Sequence, residues 1–465
     1  MALSENDDSL LPSLSPFQAL PPTAKSVYNA GDWPPCDALL EPRARCNRNS
    51  VNTDFDAIVV GAGPAGSATA RDIAARGFQT LLIEEHGAVG EPLHCAGLVT
   101  PRTLELAGVT DGLVINELRG GFVNSPLGTR LPLGGDRLRA VAIHRQRLDE
   151  LLAAAAQRAG AQLWTNARLV ALERQPGALE VHVSWRGRPQ ALRTRLLIGA
   201  DGAQSRVARW LGLRARYEER IVGLGVEAKL ETERRDFLEI FVGNSIAPGF
   251  FGWVIPLGEG RARIGIATSD GRRPIHYLES LLEAFPRLFA GAEFDRLYGG
   301  VIPLNRPHRI YCENAMLVGD AAGQVKPTSG GGIYTGLVGA KHCAQAAVQA
   351  LTEDDLSAAS LARYQKAWSR EMSGELARGW DLRRIFVALD DRELDGLVSV
   401  FRSQRLRRLA EQHGDIDFPS RLFSRLPLGV PILRPFLRTA LRLLGQRARH
   451  WKIPETEGNG EAPQV

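Results

Sequence analysis

Short apolar runs, each followed directly by a glycine, occur at three distant places in the chain. They are Ala57–Val60, Leu196–Ile198 and Ala315–Val318, and a glycine-bearing turn follows each of them at once. A short continuous apolar run bounded by turn residues is typical of a strand that is buried on both faces. The pattern therefore predicts three buried strands of the kind found in the parallel sheet of an α/β protein.

The remaining periodicity divides the chain into further helices and strands. The first apolar run opens a βαβ unit, with a helix over 64–76 that ends at Gly77 and a second strand over 79–83. Alternation of apolar and polar residues predicts short strands over 162–200 and more strands over 220–268. Apolar residues at helical spacing predict helices over 145–160, 330–351, most of 357–425, and 431–452.

Two segments lack a sustained period. Residues 1–53 are rich in Ser, Pro, Asp and Asn, which predicts a disordered N-terminal extension. Residues 86–143 are rich in Gly and Pro and show no long helical or strand pattern.

The composition bounds the classes of function. With 465 residues, 44% of them hydrophobic, the chain can bury a large core. The net charge of +5 comes from arginines spread along the sequence, so a solvated basic surface is favoured over a nucleic-acid site. Five cysteines without C-x-x-C spacing indicate a reducing compartment, with no structural disulfide and no metal site. No long uncharged apolar run and no secretory signal is visible, so a cytoplasmic location is expected.

The first glycine-bearing turn has the spacing of a dinucleotide-binding site. Gly61 allows the tight turn, Gly63 lets a pyrophosphate approach the backbone, and Gly66 lets helix and strand pack closely. The helix that follows offers free N–H groups to the phosphates. Glu84, in preference to Glu85, ends the second strand as the partner of a ribose hydroxyl. The expected contacts of this unit are Gly61, Gly63, Ala65, Gly66 and Glu84.

The third turn favours FAD over NAD. The carboxylate of Asp320 can accept a hydrogen bond from a ribityl chain, which NAD lacks. The glycines at 330–332 open a helix, so their N–H groups can approach a flavin ring and stabilise the negative charge of its reduced form. With the second turn included, the expected contacts are Asp201, Gly319, Asp320, Gly331 and Gly332.

The order of these motifs resembles the glutathione-reductase-like FAD fold in its aromatic-hydroxylase branch. Arg145, followed by Leu148 and Asp149, is similar to a segment of that branch whose arginine lies near the FAD, so Arg145 is expected to contact the cofactor. The resemblance implies an α/β fold (α+β overall), with a Rossmann-like FAD-binding domain, an inserted antiparallel-sheet substrate domain and a helical C-terminal region. The expected ranges are 1–53 for the extension, 54–100, 141–215 and 310–351 for the FAD-binding domain, 101–140 and 216–309 for the substrate domain, and 352–465 for the helical region.

Two further segments resemble the geranylgeranyl reductase family. Residues 90–98 read Gly-Glu-Pro-Leu-His-Cys-Ala-Gly-Leu, and Phe-Gly-Trp-Val-Ile-Pro begins at Phe251. With the third motif, the resemblance covers about 54–350. The family motif is roughly Tyr-x-Trp-x-Phe-Pro and then glycine-x-glycine, from which this chain departs at Phe251, Ile255 and Ala267. Flavin-dependent halogenases carry Trp-x-Trp-x-Ile-Pro, so a halogenase or monooxygenase stays as the alternative.

The resemblance implies an enzyme that uses reduced FAD to saturate carbon–carbon double bonds of isoprenoid chains in a lipid, quinone or pigment precursor. Its reaction site is expected to include Cys95, Trp253, Gly331 and Tyr334. The proton donor is open among the flavin, His94, Cys95 and Tyr334. With one dinucleotide fingerprint in the chain, the electron donor is expected to be transiently bound NAD(P)H or a small redox protein.

A prenyl chain is a long hydrocarbon, so its site must be an apolar tunnel that ends at the flavin ring. The aromatic and aliphatic residues of 237–255 supply either such a tunnel or a plain sheet core. The basic amphipathic helix predicted over 431–452 either docks on an anionic membrane surface or packs on the fold.

Overall fold

A computed structural model describes residues 53–213, 219–271, 273–304 and 309–425. Its strands, in chain order, are β1 (Phe55–Val60), β2 (Thr80–Ile83), β3 (Leu98–Val99), β4 (Val114–Leu118), β5 (Gly120–Asn124), β6 (Arg130–Gly134), β7 (Ala140–Ile143), β8 (Gln162–Trp164), β9 (Ala167–Gln175), β10 (Ala178–Trp185), β11 (Arg188–Gly199), β12 (Glu219–Lys229), β13 (Phe237–Val242), β14 (Phe251–Gly258), β15 (Arg261–Thr268), β16 (Glu293–Leu304), β17 (Tyr311–Cys312) and β18 (Ala315–Leu317).

The described residues also form ten α-helices and a 3-10 turn at Gly319–Ala322. The helices are α1 (Pro64–Ala74), α2 (Pro101–Ala107), α3 (Arg145–Arg158), α4 (Arg206–Trp210), α5 (Pro274–Ala284), α6 (Ile333–Glu353), α7 (Ala358–Val387), α8 (Asp391–Val400), α9 (Gln404–His413) and α10 (Ser420–Phe423).

The three apolar runs that precede the glycine-bearing turns lie side by side in one sheet. β1 pairs in parallel with β11 on one side and β2 on the other, and β18 pairs in parallel with β11. The strand order is β17-β18-β11-β1-β2-β8, with β9 and β10 attached to β11 as an antiparallel extension. The small residues of α1 are buried and let it pack closely against α3 and α6. The predicted Rossmann-like α/β arrangement is confirmed.

A seven-stranded sheet has the order β16-β12-β15-β14-β13-β5-β6. Its pairs are antiparallel except for β5 with β13, which run in parallel. One face packs on α5, because Leu278 and Leu281 share a buried apolar cluster with Val254, Ile264 and Ile266. The opposite face carries Trp253 and forms part of the candidate site that is described in the next subsection. β3, β7 and β4 form a separate three-stranded sheet.

The sequence underestimated the amount of strand in two regions. Residues 86–143, which show no long period, contain five strands and α2 because strands of two to five residues are too short to produce one. The strands of 162–200 are not all short, since β9, β10 and β11 have 9, 8 and 12 residues. Within 101–140, only β5 and β6 join the seven-stranded sheet, whereas β4 pairs with β7.

The predicted helices are present with shifted ends where the structure describes them. The helix expected over 64–76 ends at Ala74, and the one expected over 330–351 is α6, which begins after the glycines. Residues 357–425 hold α7 to α10. The extension over 1–53, apart from its last residue, and the basic helix over 431–452 lie outside the described residues, and the domain boundaries stay a prediction. Across the described ranges, no helix combines the length and the apolar character needed to cross a membrane.

Candidate active site

In the first glycine turn, two glycines are in close contact with neighbouring residues and the third faces open space. Gly61 has φ +103°, and a Cβ there would lie 2.4 Å from the Ala200 carbonyl oxygen. A Cβ on Gly66 would lie 2.0 Å from the Gly61 oxygen. No atom lies within 4 Å of a Cβ built on Gly63, which is the N-cap of α1 and has no side-chain cap. The turn therefore closes tightly on both sides and leaves space in front of the helix N-terminus.

Glu84 lies beside this turn, whereas Glu85 is exposed. One carboxylate oxygen of Glu84 accepts a hydrogen bond from the Ala62 N–H at 3.0 Å. The other accepts from the backbone N–H of His86 at 3.0 Å and contacts the Nδ1 atom of that histidine at 2.7 Å. Held in this way, the carboxylate is fixed at the edge of the glycine turn.

The second motif contributes mainly through Ala200, which packs on Gly61 and Gly66. The carboxylate of Asp201 accepts hydrogen bonds from the Ser205 hydroxyl at 2.5 Å and from two N–H groups at the start of α4. These contacts fix a local turn. A contact of Asp201 with a cofactor stays a prediction.

The third motif packs against α1 and against the start of α6. A Cβ on Gly319, whose φ is +68°, would lie 3.0 Å from the Ala65 Cβ. Gln324 accepts a hydrogen bond from the Gly319 N–H at 2.8 Å and donates to the buried Tyr364 hydroxyl at 2.9 Å. Next to it, a Cβ on Gly332 would lie 2.6 Å from Oδ1 of Asp320. Asp320 is thus placed directly against the start of α6.

Arg145 and Asp320 give the site its charge. Burial alone would lower the pKa of Arg145, but its ion pair with Asp149 and the nearby Cys95 and Asp320 raise it above the ordinary value. The Nε atom of Arg145 is buried and has no protein partner. Burial raises the pKa of Asp320 to about 6, and the positive charge of Arg145 acts in the opposite direction.

These features fit FAD. The space in front of Gly63 suits a pyrophosphate at a helix N-terminus. The unpartnered Nε–H of Arg145 is a donor for a ligand, because buried polar groups are normally hydrogen-bonded. Asp320 offers a carboxylate to a ribityl hydroxyl, and Glu84 offers one to a ribose.

A trough with a glycine floor crosses the seven-stranded sheet on the face that carries Trp253. In one cross-strand row, Trp253 pairs with Gly265, which pairs with Gly225, which pairs with Tyr298. In the next row, Phe251 is followed by three small residues, Ala267, Gly223 and Gly300. We call the surface formed by Gly223, Gly225, Gly265, Ala267 and Gly300 the glycine trough.

Two aromatic rings lie over one row of the trough and need its glycines. A Cβ on Gly265 would lie 2.5 Å from the Trp253 ring, and one on Gly225 would lie 2.5 Å from the Tyr298 ring. Above Gly223 the space is open, since a Cβ there would come no closer than 3.8 Å to another atom. The Trp253 Nε1 and Tyr298 hydroxyl are buried without a hydrogen-bond partner of good geometry, and burial raises the pKa of Tyr298 well above its ordinary value.

Residues 94–97, here called the Cys95 segment, lie against the sheet beside the trough. His94 contacts Gly300, and its Nδ1 atom lies 2.9 Å from the Gly299 oxygen. Arg263, which is 4% exposed, donates to the carbonyl oxygens of Ala96 at 3.0 Å and Ile143 at 2.9 Å. Its Nε also donates to Glu227 at 2.8 Å. Arg263 therefore ties the segment to the sheet.

The glycine loop at 330–332 contacts β16 further along the strand, at Ile302. A Cβ on Gly330 would lie 2.9 Å from Ile302 and 3.2 Å from the Phe250 ring. Gly331 packs on Lys326. Tyr334 is half-buried with its ring 5.9 Å from that of Phe418, edge to face.

The structure thus groups most predicted residues around two neighbouring features. Arg145 lies near both Cys95 and Asp320, whereas Trp253 lies over the glycine trough. Tyr334 instead packs towards the C-terminal segment. Sequence reasoning missed Arg263, Tyr298 and Lys326. An arginine inside the apolar strand β15 was the one available signal.

A cavity of about 510 Å³ also opens near the start of α3. Arg145, Arg263 and Tyr298 contribute to its wall, together with several exposed charged residues. Its charged lining is unlike that expected for a hydrocarbon chain.

Fold and site together define a flavoprotein oxidoreductase with a single dinucleotide fingerprint. A family model described as "FAD binding domain" matches residues 54–369. The digeranylgeranylglycerophospholipid reductase of Methanocaldococcus jannaschii is 31% identical over 390 residues, which is 81% of this chain and 97% of that protein. A second reductase of that name, from Methanopyrus kandleri, is 31% identical over 400 residues, with 80% and 97% covered.

Comparison with solved structures gives the same class of protein. A geranylgeranyl bacteriochlorophyll reductase-like protein of Thermoplasma acidophilum superimposes with a TM-score of 0.75 at 25% identity, covering 83% of this chain and 99% of that one. A flavin-dependent brominase, at 16% identity and a TM-score of 0.63, shares the fold, with 85% and 100% covered. The chain belongs to the geranylgeranyl reductase family of FAD-dependent oxidoreductases.

Proposed function

We propose that the protein saturates carbon–carbon double bonds of geranylgeranyl-type chains in a lipid, quinone or pigment precursor. The glycine trough carries this proposal. The Trp253 and Tyr298 rings cover Gly265 and Gly225, Phe251 stands at the end of the neighbouring row, and in that row the space above Gly223 is open. A groove of this kind accepts a slender hydrocarbon, because apolar contact and exclusion of water supply the binding energy.

The position of the trough supports a role in the reaction. The Cys95 segment and the glycine loop both contact β16 beside the trough, at Gly300 and at Ile302, so a chain in the trough would lie close to the two segments expected beside the flavin. FAD, when bound, supplies the hydride. The protein aligns the alkene and keeps water out, and a proton must reach the second carbon. Among the expected proton donors, His94 contacts the floor of the trough and Cys95 is its neighbour in the chain.

The names of the relatives support the substrate class, since several are digeranylgeranylglycerophospholipid reductases. We propose NAD(P)H or a small redox protein as the electron donor. The cavity beside Arg145 shares Tyr298 with the trough, but its charged lining leaves the apolar trough as the better site for the hydrocarbon.

An anaerobic turnover experiment tests the proposal. Purified protein reduced with dithionite is mixed with a geranylgeranyl lipid, and the product is examined by mass spectrometry. We expect a gain of two hydrogens for each double bond reduced. A Gly63→Val variant should give no product, because a side chain would block the approach of the pyrophosphate and FAD would be lost. A product that forms only with oxygen and gains oxygen or halogen would identify a monooxygenase or halogenase instead.

A further inference from the structure

A buried ion pair lies behind the glycine loop at 330–332. The ammonium of Lys326 is 2.6 Å from a carboxylate oxygen of Asp417, and the side chains are 6% and 2% exposed. The ammonium also donates to the Ile416 carbonyl oxygen at 3.3 Å. Removing two charges from water costs free energy that their attraction offsets only with good geometry, so such a pair is weak evidence for a purely stabilising role.

Lys326 is part of the loop and also supports it. Its N–H donates to the Gly331 oxygen at 3.3 Å, and its carbonyl oxygen accepts from the Gly330 N–H at 2.9 Å. The side chain then runs under Gly331, where a Cβ would lie 2.9 Å from Cε and 3.2 Å from Nζ. No atom of Asp417 is as close to that position. The positive end of the ion pair therefore faces the loop.

Asp417 is held from outside the loop. Its second carboxylate oxygen accepts a hydrogen bond from the Thr100 hydroxyl at 2.6 Å and lies 3.6 Å from Arg102. Arg102 makes two hydrogen bonds to Asp415, at 2.9 and 3.0 Å. These contacts fix the carboxylate independently of the glycines, so a change at Asp417 alters the charge behind the loop and leaves its backbone hydrogen bonds in place.

We propose that Lys326 is a positioning residue that, from behind the glycine loop, raises the reduction potential of the bound FAD, and that Asp417 limits the effect. Reduction by two electrons places negative charge on the edge of the flavin ring. A buried ammonium behind the loop stabilises that charge, since electrostatic interactions are strong where water is excluded. The proposal rests on the ring lying along residues 330–332, as in the proposed function.

Opposite shifts of the reduction potential are the expected result. Lys326→Met removes the positive charge and leaves Asp417, so the potential should fall. Asp417→Asn removes the negative charge and leaves the ammonium, so it should rise. A tenfold change in the balance between oxidised and reduced flavin corresponds to about 30 mV for a two-electron couple. Lys326→Arg, which keeps the charge, should stay near the unmodified protein.

The measurement is a redox titration of the holoprotein against reference dyes, followed by visible absorbance and made without a prenyl substrate. The matched controls are Lys341→Met and Glu371→Gln, because that ion pair has a similar distance of 2.9 Å but both side chains are 38% exposed. Neither control should move the potential. The potential and the turnover are separate readings, so the proposed function can stand if this proposal fails.

Shifts of the same sign in the two single variants would overturn the proposal, since they would indicate a disturbed loop. Unchanged potentials in proteins with a normal flavin spectrum would also overturn it. If a single variant fails to bind FAD, the double variant Lys326→Met with Asp417→Leu removes both charges. Its potential should lie below that of the unmodified protein, because the nearer charge is positive, and an equal potential would overturn the proposal.

Discussion

At the scale of single residues, Asp320 carries the clearest electrostatic constraint. Burial raises its pKa to about 6, while Arg145 opposes the shift. A ribityl hydroxyl that donates to this carboxylate favours the ionised form, which lowers the pKa. Binding of FAD and loss of the proton from Asp320 are therefore linked.

We expect the affinity of the apoprotein for FAD to rise as the pH increases from about 5 to about 7. Below its pKa, Asp320 holds a proton that favourable binding must displace, whereas above it the carboxylate is ready to accept the hydrogen bond. Fluorescence titration with FAD at constant ionic strength measures the effect. Asp320→Asn should bind FAD more weakly at pH 7 and with a flatter pH profile. An equal slope in both proteins would place the titrating group elsewhere.

Asp320 and Glu84 could be predicted from the sequence because each lies a fixed number of residues from glycines whose spacing is set by the geometry of the turn. Tyr298 and Lys326 could not. Tyr298 reaches Trp253 only through the cross-strand register of β12, β14, β15 and β16, and Lys326 meets Asp417 from 91 residues away in the chain. Such contacts depend on tertiary packing, which leaves no local period.

At the scale of elements, the glycine trough shows how a continuous β-sheet can leave space on one of its faces. The glycines of β12, Gly223 and Gly225, alternate with Leu224 and Val226. Successive side chains of a strand point to opposite faces, so the leucine and valine pack towards α5. On the other face, Gly225 makes room for the Tyr298 ring and the space above Gly223 stays open. Alternation predicted strands over 220–268 but gave no information about which strands would become neighbours.

Filling the trough tests its role. We expect Gly223→Leu to keep FAD and to slow reduction of a geranylgeranyl lipid by about 10-fold or more, because a displaced alkene loses its reactive geometry. The φ of Gly223 is compatible with a side chain, and the space above it is open, so the fold should tolerate the change. Flavin absorbance and turnover are the two measurements.

The matched control is Gly396→Leu on α8, where a Cβ also meets no atom within 4 Å. It should leave turnover unchanged. Full activity in the Gly223 variant would mean that the substrate lies elsewhere.

At the scale of the whole molecule, three segments separated by more than a hundred residues meet because their strands are parallel neighbours. The ends of β1, β11 and β18 lie at one edge of the sheet, and each continues into a glycine-bearing turn. Parallel strands present their carboxyl ends together, which is why the sequence predicted a shared cofactor site. The antiparallel extension by β9 and β10 and the three-stranded sheet were not predictable in this way, since neither is tied to a motif.

A membrane contact is the remaining prediction at this scale, and it rests on residues outside the described ranges. Arg434, Arg438 and Arg442 recur every four residues between leucines, which predicts one basic stripe on an amphipathic helix. A prenyl lipid has almost no concentration in water, so an enzyme that uses it must draw it from a bilayer or a carrier. Each arginine near an anionic surface would contribute about 1 kcal/mol.

We expect the full chain to co-sediment with vesicles that contain an anionic lipid, and to do so less at high salt because ions screen the attraction. Changing Arg434, Arg438 and Arg442 to Glu should abolish sedimentation while FAD absorbance is kept. The matched control changes three exposed arginines of the described region, Arg402, Arg405 and Arg408, to Glu. Because this control alters the net charge equally, equal loss in both variants would point to overall charge, and retained binding in the first would remove the helix from the membrane contact.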